Sequence, residues 1–214
     1  MKNNKTELVF ILDRSGSMSG LEADTVGGFN SMIKKQRKLE GEVKVSTVLF
    51  NHRSKVIHNR LDIEEVNLMT ENEYQVSGTT ALLDAVGRSI RKIKHVYADT
   101  LREDRPSKVI FVITTDGMEN SSREFSYKRI KNNIEQLQEE YGWEFLFLGA
   151  NIDAVSEASK FGIRPKRAVR FHSDSKGTKL NYMVIDKAIG KMRNNEELAD
   201  DWKLEVEEDY IDRR

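Results

Sequence analysis

Asp13, Ser15 and Ser17 stand two residues apart in the stretch DRSGS, directly after an apolar run over residues 8–12. A short apolar run that ends in a polar turn reads as a buried parallel strand. At its carboxyl end, one carboxylate and two hydroxyls at alternate positions can converge on a single point. All three are hard oxygen donors, and their natural guest is a hard divalent cation such as Mg²⁺. The same letters also suit a turn that caps the next helix.

Two other motifs are excluded by spacing. A helix–loop–helix calcium loop counted from Asp13 needs Gly at its sixth position and Glu at its twelfth. Those positions hold Met18 and Asp24. Gly16 and Gly20 form neither GxGxxG nor the GxxxxGK[ST] phosphate loop.

The elements that must position these donors follow from the hydrophobic pattern. Residues 21–39 are expected to form a helix burying Phe29, Met32 and Ile33, with Gly27 and Gly28 marking close packing or a kink. Residues 43–50 read as a strand, 51–53 as a hairpin turn and 54–59 as a polar edge strand. Residues 61–74 are acidic and irregular. Leu83, Val86, Ile90, Ile93 and Tyr97 recur at helical steps, starting just after Ser77-Gly78-Thr79-Thr80. Lys108–Thr115, KVIFVITT, is a central strand that ends at Asp116-Gly117. Ser121 with Glu124 offers a capping box for a helix through Tyr127, Ile130, Ile134 and Leu137. Residues 143–148 read as a strand, 152–161 as a short helix capped by Asn151 or Asp153, 168–171 as a weak strand and 180–192 as the last helix. From 194 onward the chain is acid-rich and expected to fray, with Trp202 and Leu204 able to dock. Alternating strands and helices predict an α/β fold, a doubly wound and mostly parallel sheet flanked by helices, with one short antiparallel edge strand.

In such a sheet, ligands collect outside the carboxyl ends of the strands, at the topological switch point. Three segments bring oxygen side chains there: Asp13, Ser15 and Ser17; Thr79 and Thr80; and Asp116. DRSGSM, GTTALLDAV and TTDG, in this order, resemble the von Willebrand factor type A (VWA) domain, and more narrowly its intracellular bacterial and phage members. The resemblance covers about residues 7–192 and implies a Rossmann-like VWA fold carrying a metal-ion-dependent adhesion site. It implies that Ser15 and Ser17 ligate the metal through their hydroxyls and that Asp13 and Asp116 act directly or through water. A threonine completes the set: helix phase favours Thr80, with Thr79 as the alternative. The remaining position goes to water or to a partner's carboxylate. Mg²⁺ is the expected ion and Mn²⁺ a competent substitute.

The remaining chemistry-bearing letters carry less. His52, His58, His95 and His172 are scattered, with no paired spacing for a metal. His172, Ser173, Asp174 and Ser175 hold the letters of a hydrolytic triad, but neighbours in sequence suit a helix cap better. The basic cluster at 34–38 reads as a solvated helix face.

Bulk properties narrow the function classes. The chain has 214 residues, with 35 basic and 35 acidic side chains. A balanced charge gives no electrostatic footprint for nucleic acid or an anionic membrane. The absence of cysteine excludes disulfides and thiol chemistry. The opening MKNNKTE and the lack of a long apolar run lead to the expectation of a cytoplasmic protein. The length suits one domain over 1–214, with a core at about 7–192 and an acid-rich extension at 194–214. The expected function is a divalent-metal-dependent protein-binding module that takes a partner's Asp or Glu, not an enzyme. The sequence leaves open whether it works alone or beside an ATPase or operon neighbour. The alternative is a metal-dependent phosphoester hydrolase that uses Asp13 or Asp116. A nucleotide-binding Rossmann domain is disfavoured by the missing glycine fingerprint.

Overall fold

The computed structural model describes residues 4–150 and 152–213. Its centre is a six-stranded sheet in the order β3-β2-β1-β4-β5-β6. The strands are β1 (Lys5–Asp13), β2 (Glu42–Phe50), β3 (Ser54–Asp62), β4 (Lys108–Thr115), β5 (Glu144–Ala150) and β6 (Ala168–Phe171). All pairings are parallel except β2 with β3. This is the α/β, doubly wound, Rossmann-like arrangement, with one antiparallel edge strand. Helices cover both faces, which is why β1, β4 and β5 are almost wholly apolar rather than alternating.

One face packs α1 (Glu22–Gln36) and α5 (Ser175–Arg193) over Phe10, Leu49, Ile110 and Leu146. The other packs α2 (Leu82–Asp99), α3 (Tyr127–Tyr141) and α4 (Ala154–Lys160) over Ile11, Phe111, Ile113 and Phe147. The direction of winding changes between β1 and β4, so the carboxyl ends of these two strands flank the switch point.

Several expected boundaries move, each for a local reason. Gly28 marks close packing: a Cβ there would lie 2.3 Å from the Tyr182 ring. The basic cluster at 34–38 is not simply solvated. Gln36 is buried and donates to Asp186, and Arg37 donates to the carbonyls of Ile63 and Val66. Arg193 of α5, itself buried, donates to the carbonyls of Gln36, Leu39 and Glu40 and so satisfies the end of α1. The capping box of Ser121 with Glu124 does not form. Ser126 caps α3 instead, and Glu124 pairs with Arg88 and Arg91. Helix α5 starts at Ser175 rather than 180 because Asp174 accepts the Gly177 N–H at 2.7 Å.

The acid-rich carboxyl segment is ordered rather than frayed. It forms α6 (Leu204–Asp212), which packs on β6 and α5. Trp202 docks, donating from Nε1 to the Lys166 carbonyl at 2.8 Å. Leu204 does not dock, since it is 49% exposed; Val206, 1% exposed, takes that role.

Candidate metal centre

The apolar run of β1 carries Asp13 to the end of the sheet and buries it. One carboxylate oxygen accepts the Ser15 N–H at 2.7 Å, which folds the chain back into a short 3₁₀ turn over Gly16–Met18. This turn sets the hydroxyls of Ser15 and Ser17 3.1 Å apart. The other carboxylate oxygen accepts the Thr115 hydroxyl at 2.6 Å, across the switch point. Ser17 in turn donates to Asp116 at 2.6 Å. Asp13, Ser15, Ser17 and Asp116 therefore form one connected cluster of oxygens.

The two threonines differ in burial: Thr80 is 3% exposed, whereas Thr79 is exposed. Gly117 shows where the Thr80 hydroxyl lies. A Cβ at Gly117 would stand 2.9 Å from Thr80 Oγ1 and 3.5 Å from Ser17 Oγ. Only glycine lets the β4 loop pass this close to both hydroxyls.

Backbone and side-chain bonds from distant segments fix the three loops. Gly16 N–H donates to the Gly78 carbonyl at 2.9 Å, and Ser77 N–H to the Arg14 carbonyl at 2.9 Å. Asn51, in the β2–β3 turn, donates to the Ser77 carbonyl. Thr80 and Asn120 bond reciprocally, Thr80 N–H to the Asn120 side chain and Asn120 N–H to the Thr80 carbonyl. Glu119 accepts the Leu83 N–H at the start of α2. Asp84 accepts three successive N–H groups, from Arg123, Glu124 and Phe125. Tyr74, fully buried, donates its hydroxyl to the Asp13 carbonyl. Thr115, Tyr74, Asn51, Glu119 and Asn120 were not singled out from the sequence. The one local signal was the doubled threonine of TTDG, whose second member holds Asp13.

The electrostatics are unusual for a surface loop. Burial raises the Asp13 carboxyl to about 6, against the opposing hydrogen bonds from Thr115 and Ser15, and the Asp116 charge adds to the rise. Burial also raises Asp116, against the Ser17 hydrogen bond. Among the described residues no Lys, Arg or His forms an ion pair with either carboxylate. A buried and a half-buried carboxylate without a counter-charge, ringed by three hydroxyls, have the donor chemistry of a hard divalent cation. No group of three or more His, Cys, Asp and Glu gathers among the described residues, so any metal site here relies on hydroxyls.

Other flagged residues take structural places. His58 is buried against the Thr47 hydroxyl at 3.0 Å. His172 stacks on Tyr210 and Asp174 caps α5, so no triad forms. Asp153 caps α4 by accepting the Ser156 N–H, and Asn151 lies outside the described residues. No described helix is long and apolar enough to cross a membrane.

Residues 7–184 match the family model of the von Willebrand factor type A domain. The chain belongs to the VWA family. No curated protein matches it. Among solved structures, a D319A mutant of the PilB minor pilin from Streptococcus sanguinis superposes with a TM-score of 0.61 at 13% identity, covering 94% of this chain and 63% of its own. The manganese-loaded TRAP protein of Plasmodium vivax gives 0.53 at 17% identity, over 85% of this chain and 74% of its own. Proximal thread matrix protein 1 of the mussel byssus, with a zinc-occupied MIDAS motif, gives 0.56 at 14% identity, over 87% of this chain and 46% of its own. At these identities the likeness is one of fold. The chain spans 63% of the pilin's length and less than half of the byssus protein's.

Proposed function

We propose that this VWA chain is a protein-binding module, one domain with an acid-rich carboxyl extension, whose interaction depends on a divalent cation, Mg²⁺ or Mn²⁺. The observation that carries the reading is the pair of buried Asp13 and half-buried Asp116, without a cationic partner among the described residues, converging with three hydroxyls at the switch point. Ser15, Ser17 and Thr80 would hold the ion through hydroxyl oxygens, and Asp13 and Asp116 would neutralise it directly or through water. When bound, such an ion supplies an electrophilic centre that attracts an incoming carboxylate. The manganese and zinc held by the two VWA structures support a divalent ion in a fold of this kind.

This chain's own residues do the rest. Thr115 and the Ser15 N–H hold Asp13 in one orientation. The Thr80–Asn120 bonds keep the loop before α2 against the loop after β4. Among the described residues neither carboxylate has a lysine or histidine paired with it, so the phosphoester hydrolase has no feature of its own in its favour.

The ligand on the partner is read as an Asp or Glu side chain, and the setting as bacterial and cytoplasmic. The test is capture of partners from the native host in Mg²⁺ and in EDTA, followed by titration of the captured protein. Binding should vanish in EDTA and on replacing one partner carboxylate by its amide. Thr80→Ala should weaken it more than Thr79→Ala. Equal affinity in EDTA overturns the reading. Metal-dependent turnover of a phosphoester, lost in Asp13→Ala, would make the protein an enzyme.

A further inference from the structure

A groove of about 340 Å³ runs between α2 and α3, on the face of the sheet away from α1 and α5. Its floor is apolar, made by Ile90, Ala98 and Phe125. Phe125 reaches this place because α2 has Gly87 there: a Cβ would stand 2.5 Å from the ring. The rim is cationic. Arg91 and Arg129 lie over the Phe125 ring, at 5.5 and 4.8 Å from its centroid. Arg91 is paired with Glu124, but Lys94 and Arg129 have no carboxylate partner among the described residues. An apolar floor with uncompensated positive charge at its edge selects an acidic segment with aliphatic anchors.

The chain carries such a segment. Helix α6 buries Val206 inward, and turns Leu204 and Ile211 outward at 49% and 66% exposure. Positions 204, 208, 211 and 212 share that outer face by helical spacing. Glu205, Glu207 and Asp209 are engaged by Lys187, Lys203 and Lys176. Glu208 and Asp212, on the outer face, have no cationic partner among the described residues. Exposed aliphatics beside unpaired acids on α6 thus complement the groove in both polarity and charge. Within one chain the two surfaces lie on opposite sides of the sheet, since α6 belongs with the α1 and α5 layer.

We propose that the groove between α2 and α3 receives α6 of a second copy of this chain. The contact joins two different surfaces, so it is head-to-tail and does not stop at a closed pair unless the geometry forms a ring. It is separate from the candidate metal centre and does not depend on it.

Sedimentation or light scattering of the whole chain tests this. At low salt, about 20 mM, the weight-average mass should climb with concentration above the 24.7 kDa of one chain. At about 500 mM salt it should fall back, because exposed charges are screened. Lys94→Glu with Arg129→Glu should abolish association, as should Glu208→Lys with Asp212→Lys. An equimolar mixture of these two variants should restore it, because each then offers the surface the other needs. Leu204→Ser with Ile211→Ser should also abolish it, with circular dichroism unchanged. A wild-type mass of 24.7 kDa at every concentration overturns the proposal. So does association that survives both charge reversals, or that disappears in EDTA. If the groove bound an acidic peptide from another protein while the chain stayed monomeric, the occupant would be that protein and not a second copy.

Discussion

Two pairs of aspartates in this chain have opposite fates. Asp13, buried, and Asp116, half-buried, sit at the switch point, hydrogen-bonded only by hydroxyls and backbone, and desolvation lifts both carboxyls above their usual range. Asp174 and Asp209 sit where α6 meets α5. Burial is the largest single influence and pushes both up, but Arg213 and the Gly177 N–H at Asp174, and Lys176 with Arg213 at Asp209, together outweigh it and hold both below the usual range. The carboxyl-terminal pair has its counter-charges built in and serves the fold. The switch-point pair costs the fold stability, because the two carboxylates lose hydration and are offset only by hydrogen bonds, with no cation beside them among the described residues. The difference separates a carboxylate that stabilises the fold from one that, in the function proposed above, receives a cation.

The largest effect expected from this contrast is on metal affinity. Ser15→Ala with Ser17→Ala should weaken Mg²⁺ or Mn²⁺ binding by at least about 100-fold, read by titration calorimetry, since two ligands are lost and the water left in their place is not preorganised. Arg213→Ala, at the other pair, should leave metal affinity unchanged. Next comes stabilisation by metal. At about 100 times the dissociation constant, the ion adds about 2.7 kcal/mol, or roughly 5–10 °C in Tm for a domain of this size. Differential scanning fluorimetry in Mg²⁺ against EDTA checks it, and the Ser15/Ser17 double variant should show no increment.

Smaller effects test the two pairs without metal. In EDTA, Asp116→Asn should melt at the wild-type temperature or slightly above, because it removes a repelled charge. Asp174→Ala should lower Tm by about 2–4 °C, since it removes a helix cap worth about 1 kcal/mol. A fall of more than about 10 °C in Asp116→Asn would make Asp116 a structural residue and erase the contrast.

The smallest effect is a pH response at α6. Asp174 and Asp209 have folded values below their unfolded ones, so their contribution is present above the unfolded value, about 3.9, and is lost as pH falls below it. Trp202 fluorescence should therefore report loosening of α6 below about pH 4, ahead of the loss of sheet signal. Asp174 is half-exposed and shares its counter-charge Arg213 with Asp209, so the change should be modest. A Trp202 environment that changes between pH 5 and 7 would point to other groups.

Much of this was legible in the sequence because buried parallel strands write themselves as apolar runs. The ends of 8–12 and Lys108–Thr115 mark the switch point, and the family motif counted back from Val86 favours Thr80, which the structure buries with its hydroxyl near Gly117. The residues that hold the site in shape were not legible. Thr115 reaches Asp13 across 102 positions, Tyr74 across 61, and Asn120 reaches Thr80 across 40. Contacts of that range leave no periodicity or local motif to read. The carboxyl segment was misread for a related reason. Its acidic composition suggests fraying, yet Lys176, Lys187 and Arg213 neutralise it from outside its own run or at its end, and Trp202 and Val206 bury the face that composition averages away.

The central claim is that Asp13, Ser15, Ser17, Thr80 and Asp116 hold one divalent ion. Crystals grown or soaked with Mn²⁺ and measured for anomalous scattering locate it directly. A single strong peak is expected at the switch point, within roughly 2.0–2.3 Å of the Ser15 and Ser17 hydroxyl oxygens, and no such peak in the Ser15→Ala/Ser17→Ala variant. No peak there at saturating Mn²⁺, or a peak that survives the double substitution, would contradict it.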